Sequence, residues 1–126
     1  MGKQLDILIV DDEEVMRSLF TDLLSGRGHK VSTVADGKKA VELVKKNFFH
    51  IAFIDVHMPV ISGVETLSLI KKISPDTSVV MTDSFPDTLD KEALKEVIIT
   101  CIRKPFNIQE VIEIVDKIIE EKDKAQ

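Results

Sequence analysis

The chain has 126 residues, a net charge of −5, 44% hydrophobic residues and 31% charged residues. That is the size and balance of one domain with a real core, and the acidic excess disfavours general binding to nucleic acid or to anionic membranes. With one cysteine, Cys101, no internal disulfide can form. There is no apolar run long enough to span a bilayer and no N-terminal signal pattern, so the expected address is the cytoplasm.

Apolar runs and amphipathic segments alternate five times. A nearly continuous apolar run near 5–10 reads as a strand buried on both faces. A helix follows near 14–26, with Val15, Met16, Leu19, Phe20, Leu23 and Leu24 on one stripe and Gly26 and Gly28 as stops. A strand near 30–35 and a helix near 37–47 come next, then a second apolar strand near 50–55 and a helix near 63–73. The last units are a strand near 78–82, a helix near 88–97, a strand near 98–103 and a helix near 107–122. That final helix places Ile108, Val111, Ile112, Val115, Ile118 and Ile119 on one stripe, and Asn107 suits its N-cap. The polar tail Glu120–Gln126 is expected to fray. The pairs Lys38-Lys39, Lys45-Lys46 and Lys71-Lys72 read as solvated helix faces, and Phe48, Phe49 and Phe53 as core. Such alternation predicts parallel pairing with right-handed crossovers. Five units favour an open, doubly wound α/β sheet over an eight-fold barrel, which needs about twice the length. No linker, repeat or second domain is visible, so 1–126 reads as a single domain.

The chemistry gathers at strand ends. Asp11 and Asp12 follow the first strand, Asp55 the third, Thr82 the fourth and Lys104 the fifth. In a parallel sheet these ends share one edge, where ligands bind. Three clustered carboxylates repel one another unless a cation sits among them, and a hard ion such as Mg²⁺ is the natural occupant. Helix capping also accounts for acids at such a turn, but Glu13 and Glu14 already serve it. Four acids in a row also disfavour a phosphate or dinucleotide cradle, which wants glycines and bare amides. Asp55 opens the stretch Asp55-Val56-His57-Met58-Pro59, with Gly63 beyond. It is either a turn aspartate or a carboxylate able to attack a phosphoryl group and form an acyl phosphate. Thr82 is an ordinary strand residue whose hydroxyl would reach a phosphoryl oxygen. Lys104, fixed before Pro105, is either a surface lysine or a point charge for that group. An acidic metal site with a lysine across it suits phosphoryl chemistry.

The set Asp11-Asp12, Asp55 with Met58-Pro59 and Gly63, Thr82, and Lys104-Pro105-Phe106 resembles the receiver domain of bacterial two-component response regulators. The resemblance covers essentially the whole chain. It implies a flavodoxin-like (βα)5 fold with strand order 2-1-3-4-5. It implies Asp55 as phosphoacceptor, Asp12 as direct Mg²⁺ ligand, Asp11 as a ligand through water and the His57 backbone carbonyl as a further ligand. Thr82 and Lys104 would bind the phosphoryl group. A histidine kinase or phosphotransfer protein would donate it, and a downstream output protein would read the altered conformation. The domain would catalyse only its own phosphorylation and dephosphorylation, and would be a monomer or weak dimer.

Three departures from the family pattern bear on the switch. Asp83 stands where a small residue is usual, and its charge would crowd an incoming phosphoryl group. Cys101 replaces the usual aromatic, and Val97-Ile98-Ile99 replaces a small-residue loop. His57 reads more simply as a solvent-exposed loop histidine than as a rim residue. His29, His50 and His57 show no ligand spacing with Cys101, so zinc is not expected, and Cys101 reads as a small buried hydrophobe. Ile114 flanks the last helix's stripe and reads as a scattered surface residue rather than part of a partner face. Three rivals stand against this reading: a phosphorylation-independent interaction module, an aspartyl-phosphate phosphatase and a flavin carrier, the last of which fails. A phosphatase would want a second aspartate where His57 stands. A flavin carrier would want a phosphate-binding first loop and a Trp or Tyr, and the chain has neither residue.

Overall fold

The computed structural model describes residues 4–58, 60–83 and 100–124. The helix expected near 88–97, the Val97-Ile98-Ile99 stretch and Pro59 lie outside the described residues, as does the side chain of Cys101. In chain order the elements are β1 (Asp6–Val10), α1 (Glu14–Gly26), β2 (Lys30–Val34), α2 (Gly37–Lys46) and β3 (Ile51–Asp55). They continue as α3 (Gly63–Ile73), β4 (Ser78–Asp83), β5 (Thr100–Arg103) and α4 (Ile108–Lys124).

The strands form one parallel sheet in the order β2-β1-β3-β4-β5, as the resemblance implies. The apolar runs of β1 and β3 are explained by their place in its middle, covered on both faces, and all five residues of β3 are buried. Alternation along the strands then divides the core. Leu8, Val10, Ala52, Ile54, Val79 and Met81 pack with Ala40 and Val44 of α2 and Leu67 and Ile70 of α3. Ile7, Ile9, Ile51, Phe53, Val80 and Ile102 pack with Phe20 and Leu24 of α1 and Val111, Val115 and Ile118 of α4.

Local chemistry fixes the helix ends. The α1 terminus is a Schellman motif: Gly28, at φ 92°, donates to the Ser25 carbonyl at 3.0 Å, and His29 N donates to Leu24 O at 3.1 Å. Asp36 caps α2 by accepting from Lys39 N at 2.8 Å, and Ser62 caps α3 by accepting from Glu65 N at 3.1 Å. Asn107 caps α4 as expected, accepting from Glu110 N at 2.9 Å while Glu110 accepts from Asn107 N at 3.4 Å.

The helix stripes are narrower than the sequence suggests. On α1 the line Met16–Phe20–Leu24 meets the sheet, whereas Val15 and Leu19, four residues apart on the flank, are 76% and 39% exposed. On α4, Ile108 is likewise 51% exposed, and Ile114 instead packs partly against the core. Phe48 is not core: it lies half exposed, edge-on to His50 at 5.1 Å. The helix α4 runs through Lys124 rather than fraying from Glu120, consistent with its Glu- and Lys-rich end. Five of the six paired lysines are exposed. Lys71 is partly buried, its Nζ donating to Thr77 O at 2.6 Å. Among the described residues, no helix is long and apolar enough to cross a membrane.

In the turn between β3 and α3, the exposed Val60 has φ 72°. The left-handed region costs a side chain with a Cβ about 1–2 kcal/mol, most of all a β-branched one. Val60→Gly is therefore expected to raise the urea midpoint, with a net gain of about 1 kcal/mol after the added freedom of the unfolded chain. An unchanged or lower midpoint would show that the turn holds no such strain.

Candidate metal site

The sheet register brings the expected residues to one edge. Asp55 pairs with Thr82 across β3 and β4, and Val56 N donates to Thr82 O at 2.9 Å. At the end of β4, Asp83 pairs with Arg103 of β5 and its carbonyl accepts from Lys104 N at 2.8 Å. On the other side, Asp11 N extends the β1–β2 ladder to Val34 O at 3.2 Å. Asp11, Asp55 and Thr82 are buried, while Asp12 is exposed at the rim.

Carboxylate oxygens of Asp11, Asp12 and Asp55 all lie within 4.8 Å of one another. Lys104 crosses the site, with Nζ 3.0 Å from Asp11 Oδ2, 3.7 Å from Asp55 Oδ2 and 3.5 Å from Glu13 Oε1. The Lys104–Pro105 bond is cis. Behind the lysine, Phe106 packs on Phe20 at 5.5 Å and Phe20 on Phe53 at 5.0 Å, tying the β5–α4 turn to α1 and β3.

The electrostatics follow from burial. Loss of solvent pushes the Asp55 carboxyl up to about 6, aided by Asp11 and Asp12 and opposed by Lys104 and the His57 N–H. Burial pulls the Lys104 ammonium down, but the hydrogen bond and charge of Asp11, with Asp55 and Glu13, outweigh it and raise its pKa. One ammonium cannot neutralise three carboxylates. An all-oxygen donor set of this charge and spacing fits a hard divalent cation, with part of its shell completed by water.

Several supporting contacts were not legible in the sequence. Arg17 Nη1 donates to Asp11 O at 2.9 Å, and Glu13 N donates to Asp11 Oδ1 at 2.9 Å, so the acidic turn is held from both sides. His57 is not a bare loop histidine. Its N–H donates to Asp55 Oδ1 at 3.3 Å, and its Nε2 lies 3.0 Å from Oδ1 of the fully buried Asp83. The other two histidines lie away from the site, at the start of β1. Leu5 N donates to His29 Nδ1 at 3.1 Å and Asp6 N to His50 Nδ1 at 3.0 Å, so both serve the backbone. Beside Lys104, an open groove of about 510 Å³ is lined by Glu13, Met16, Leu19, Pro105 and Phe106.

The sequence profile of the response regulator receiver domain matches residues 7–116. The chain is 32% identical over 120 residues to the chemotaxis protein CheY of Thermotoga maritima, covering 94% of this chain and 98% of that one. It is 31% identical over 112 residues to the transcriptional regulatory protein ZraR of Klebsiella oxytoca, covering 87% of this chain but only 25% of that regulator. In structure it resembles the receiver domain of the sensor histidine kinase PA1611 from Pseudomonas aeruginosa, which holds a magnesium ion in its active site cleft. That match has a TM-score of 0.83 at 23% identity and covers 94% of this chain and 99% of that one. A parallel sheet in this order, with an acidic pocket and a lysine at its carboxyl edge, defines a receiver. The chain belongs to the response regulator receiver domain family.

Proposed function

We propose that this receiver accepts a phosphoryl group on Asp55 in a Mg²⁺-dependent reaction and passes the signal on by a change of conformation. The observation that carries the reading is the buried Asp55, with Lys104 Nζ at 3.7 Å and the carboxylates of Asp11 and Asp12 alongside. Asp11, Asp12, Asp55 and the His57 carbonyl would hold the cation. When bound, the cation neutralises charge on the transferring group. An Asp55 carboxylate oxygen attacks phosphorus, the bond from phosphorus to the donor nitrogen breaks, and its electron pair leaves with the donor imidazole. Lys104 binds the transferred oxygens as a point charge, and Thr82, on the neighbouring strand at the same register, supplies a hydroxyl. New contacts to Thr82 and Lys104 would then bias a pre-existing conformational equilibrium.

The donor is a histidine kinase or histidine phosphotransfer protein. The apolar groove of Met16, Leu19, Pro105 and Phe106 opens beside Lys104 and suits a helical donor approaching from the α1 side. No external substrate is turned over, and an output protein reads the result. The chain is a monomer or weak dimer that acts in the cytoplasm.

Intact mass after incubation with Mg²⁺ and acetyl phosphate, beside an Asp55→Asn control, tests this. The expected result is a Mg²⁺-dependent gain of one phosphoryl group, absent from the control. No gain, with fluoroberyllate also failing to bind, would favour a phosphorylation-independent interaction module built on the same fold.

A further inference from the structure

Asp83 is a fourth carboxylate at the site's edge, wholly buried at the end of β4. Its contacts join two other strand ends. The side chain meets His57 Nε2 at 3.0 Å in the turn after β3, and its backbone carbonyl accepts from Lys104 N at 2.8 Å in the turn after β5. His57 is half exposed on a turn, and its N–H makes a long 3.3 Å hydrogen bond to Asp55 Oδ1. The imidazole–carboxylate bridge, at 3.0 Å, restrains that residue and is charge-assisted whenever the imidazole is protonated. It anchors an exposed turn to a fixed, buried point.

We propose that Asp83, through His57, is a positioning residue that presets the turn after β3 for cation binding. This rests on the reading of the site as a Mg²⁺-dependent phosphoacceptor. Asp83 then strengthens the chemistry rather than obstructing it. A turn that is already ordered loses less freedom when the cation binds, and groups that orient metal ligands typically change affinity by about 10–100-fold.

Mg²⁺ titration calorimetry on the full chain, with the fold checked by circular dichroism, tests the proposal. His57→Ala removes no carboxylate and keeps the main-chain carbonyl, yet it is expected to weaken Mg²⁺ binding about tenfold. Asp83→Ala should do the same, and the double variant should be no worse than either single one, because all three break one bridge. Asp83→Asn keeps an acceptor for the imidazole N–H and should stay within about twofold of wild type. Unchanged affinity in His57→Ala overturns the proposal. So does an Asp83→Asn variant as weak as Asp83→Ala, which would make charge the cause. If either alanine variant unfolds, the double variant decides, since it leaves no buried carboxylate without its imidazole. Wild-type affinity in the folded double variant overturns the proposal. A wild-type chain that takes up no Mg²⁺ overturns this inference and the proposed function together, whereas normal wild-type uptake with unaffected variants overturns this inference alone.

Discussion

Replacing Asp55 with asparagine is expected to abolish acyl-phosphate formation while making the metal-free protein more stable. The first effect follows from removing the nucleophile, a change worth roughly three orders of magnitude or more. The second follows from the site's electrostatics. Burial, with Asp11 and Asp12, pushes the Asp55 carboxyl from 3.8 up to about 6 despite Lys104 and the His57 N–H. Below the unfolded value both states carry the proton and nothing is lost. As pH rises towards the folded value, the unfolded chain ionises first and stability falls, after which the penalty is constant. A shift of about two units corresponds to about 2–3 kcal/mol at neutral pH. Urea unfolding in EDTA should therefore show the variant gaining on wild type between about pH 4 and 6.5. Adding Mg²⁺ should close the gap by stabilising wild type through binding. A gap that does not change with pH would sink the account, because the other carboxylates are common to both proteins.

The second large effect is expected at Gly63, at the start of α3. A Cβ there would overlap the Asp55 carbonyl oxygen and come within 2.7 Å of Val56 Cα. Both neighbours are backbone, so no side-chain rotation relieves the overlap. Gly63 N also donates to Val56 O at 2.9 Å, which pins the helix start to the strand end. Gly63→Ala must therefore displace the turn that carries Asp55. The expected cost is about 3 kcal/mol in stability and about 100-fold in phosphorylation rate, the scale of a misplacement near 1 Å. Gly26→Ala is the matched control, since a Cβ there meets nothing within 4 Å. A Gly63→Ala protein with a wild-type urea midpoint and wild-type Mg²⁺ affinity would contradict this packing argument.

The fold was largely legible because its signals are local and repeated. The apolar runs of β1 and β3 announce strands covered on both faces, and alternation with helices permits only a parallel sheet. That topology alone sends Asp11, Asp12, Asp55, Thr82 and Lys104 to a common edge. The illegible contacts depend on which atoms meet across strands. Nothing in the spacing of His57 and Asp83 says that an imidazole reaches over a strand end to a buried carboxylate. Arg17 reads as one more charged position on α1, although its guanidinium holds the Asp11 carbonyl. His29 and His50 look like spare loop residues until their ring nitrogens are seen accepting from the amides of Leu5 and Asp6, where β1 begins. Stripe width on α1 and α4 was overestimated for a related reason. Helical spacing identifies apolar lines but not which line the sheet covers, so Val15, Leu19 and Ile108 stayed outside.

Lys104 and Asp11 are 93 residues apart, yet they meet at 3.0 Å. The carboxylates follow β1 and β3, inside the sheet, and the ammonium follows β5 at one edge. Lys104 comes from the edge strand β5, so its ion pair with Asp11 forms only when distant parts of the chain have closed upon each other. That ion pair therefore records that β1, β3, β4 and β5 have come together.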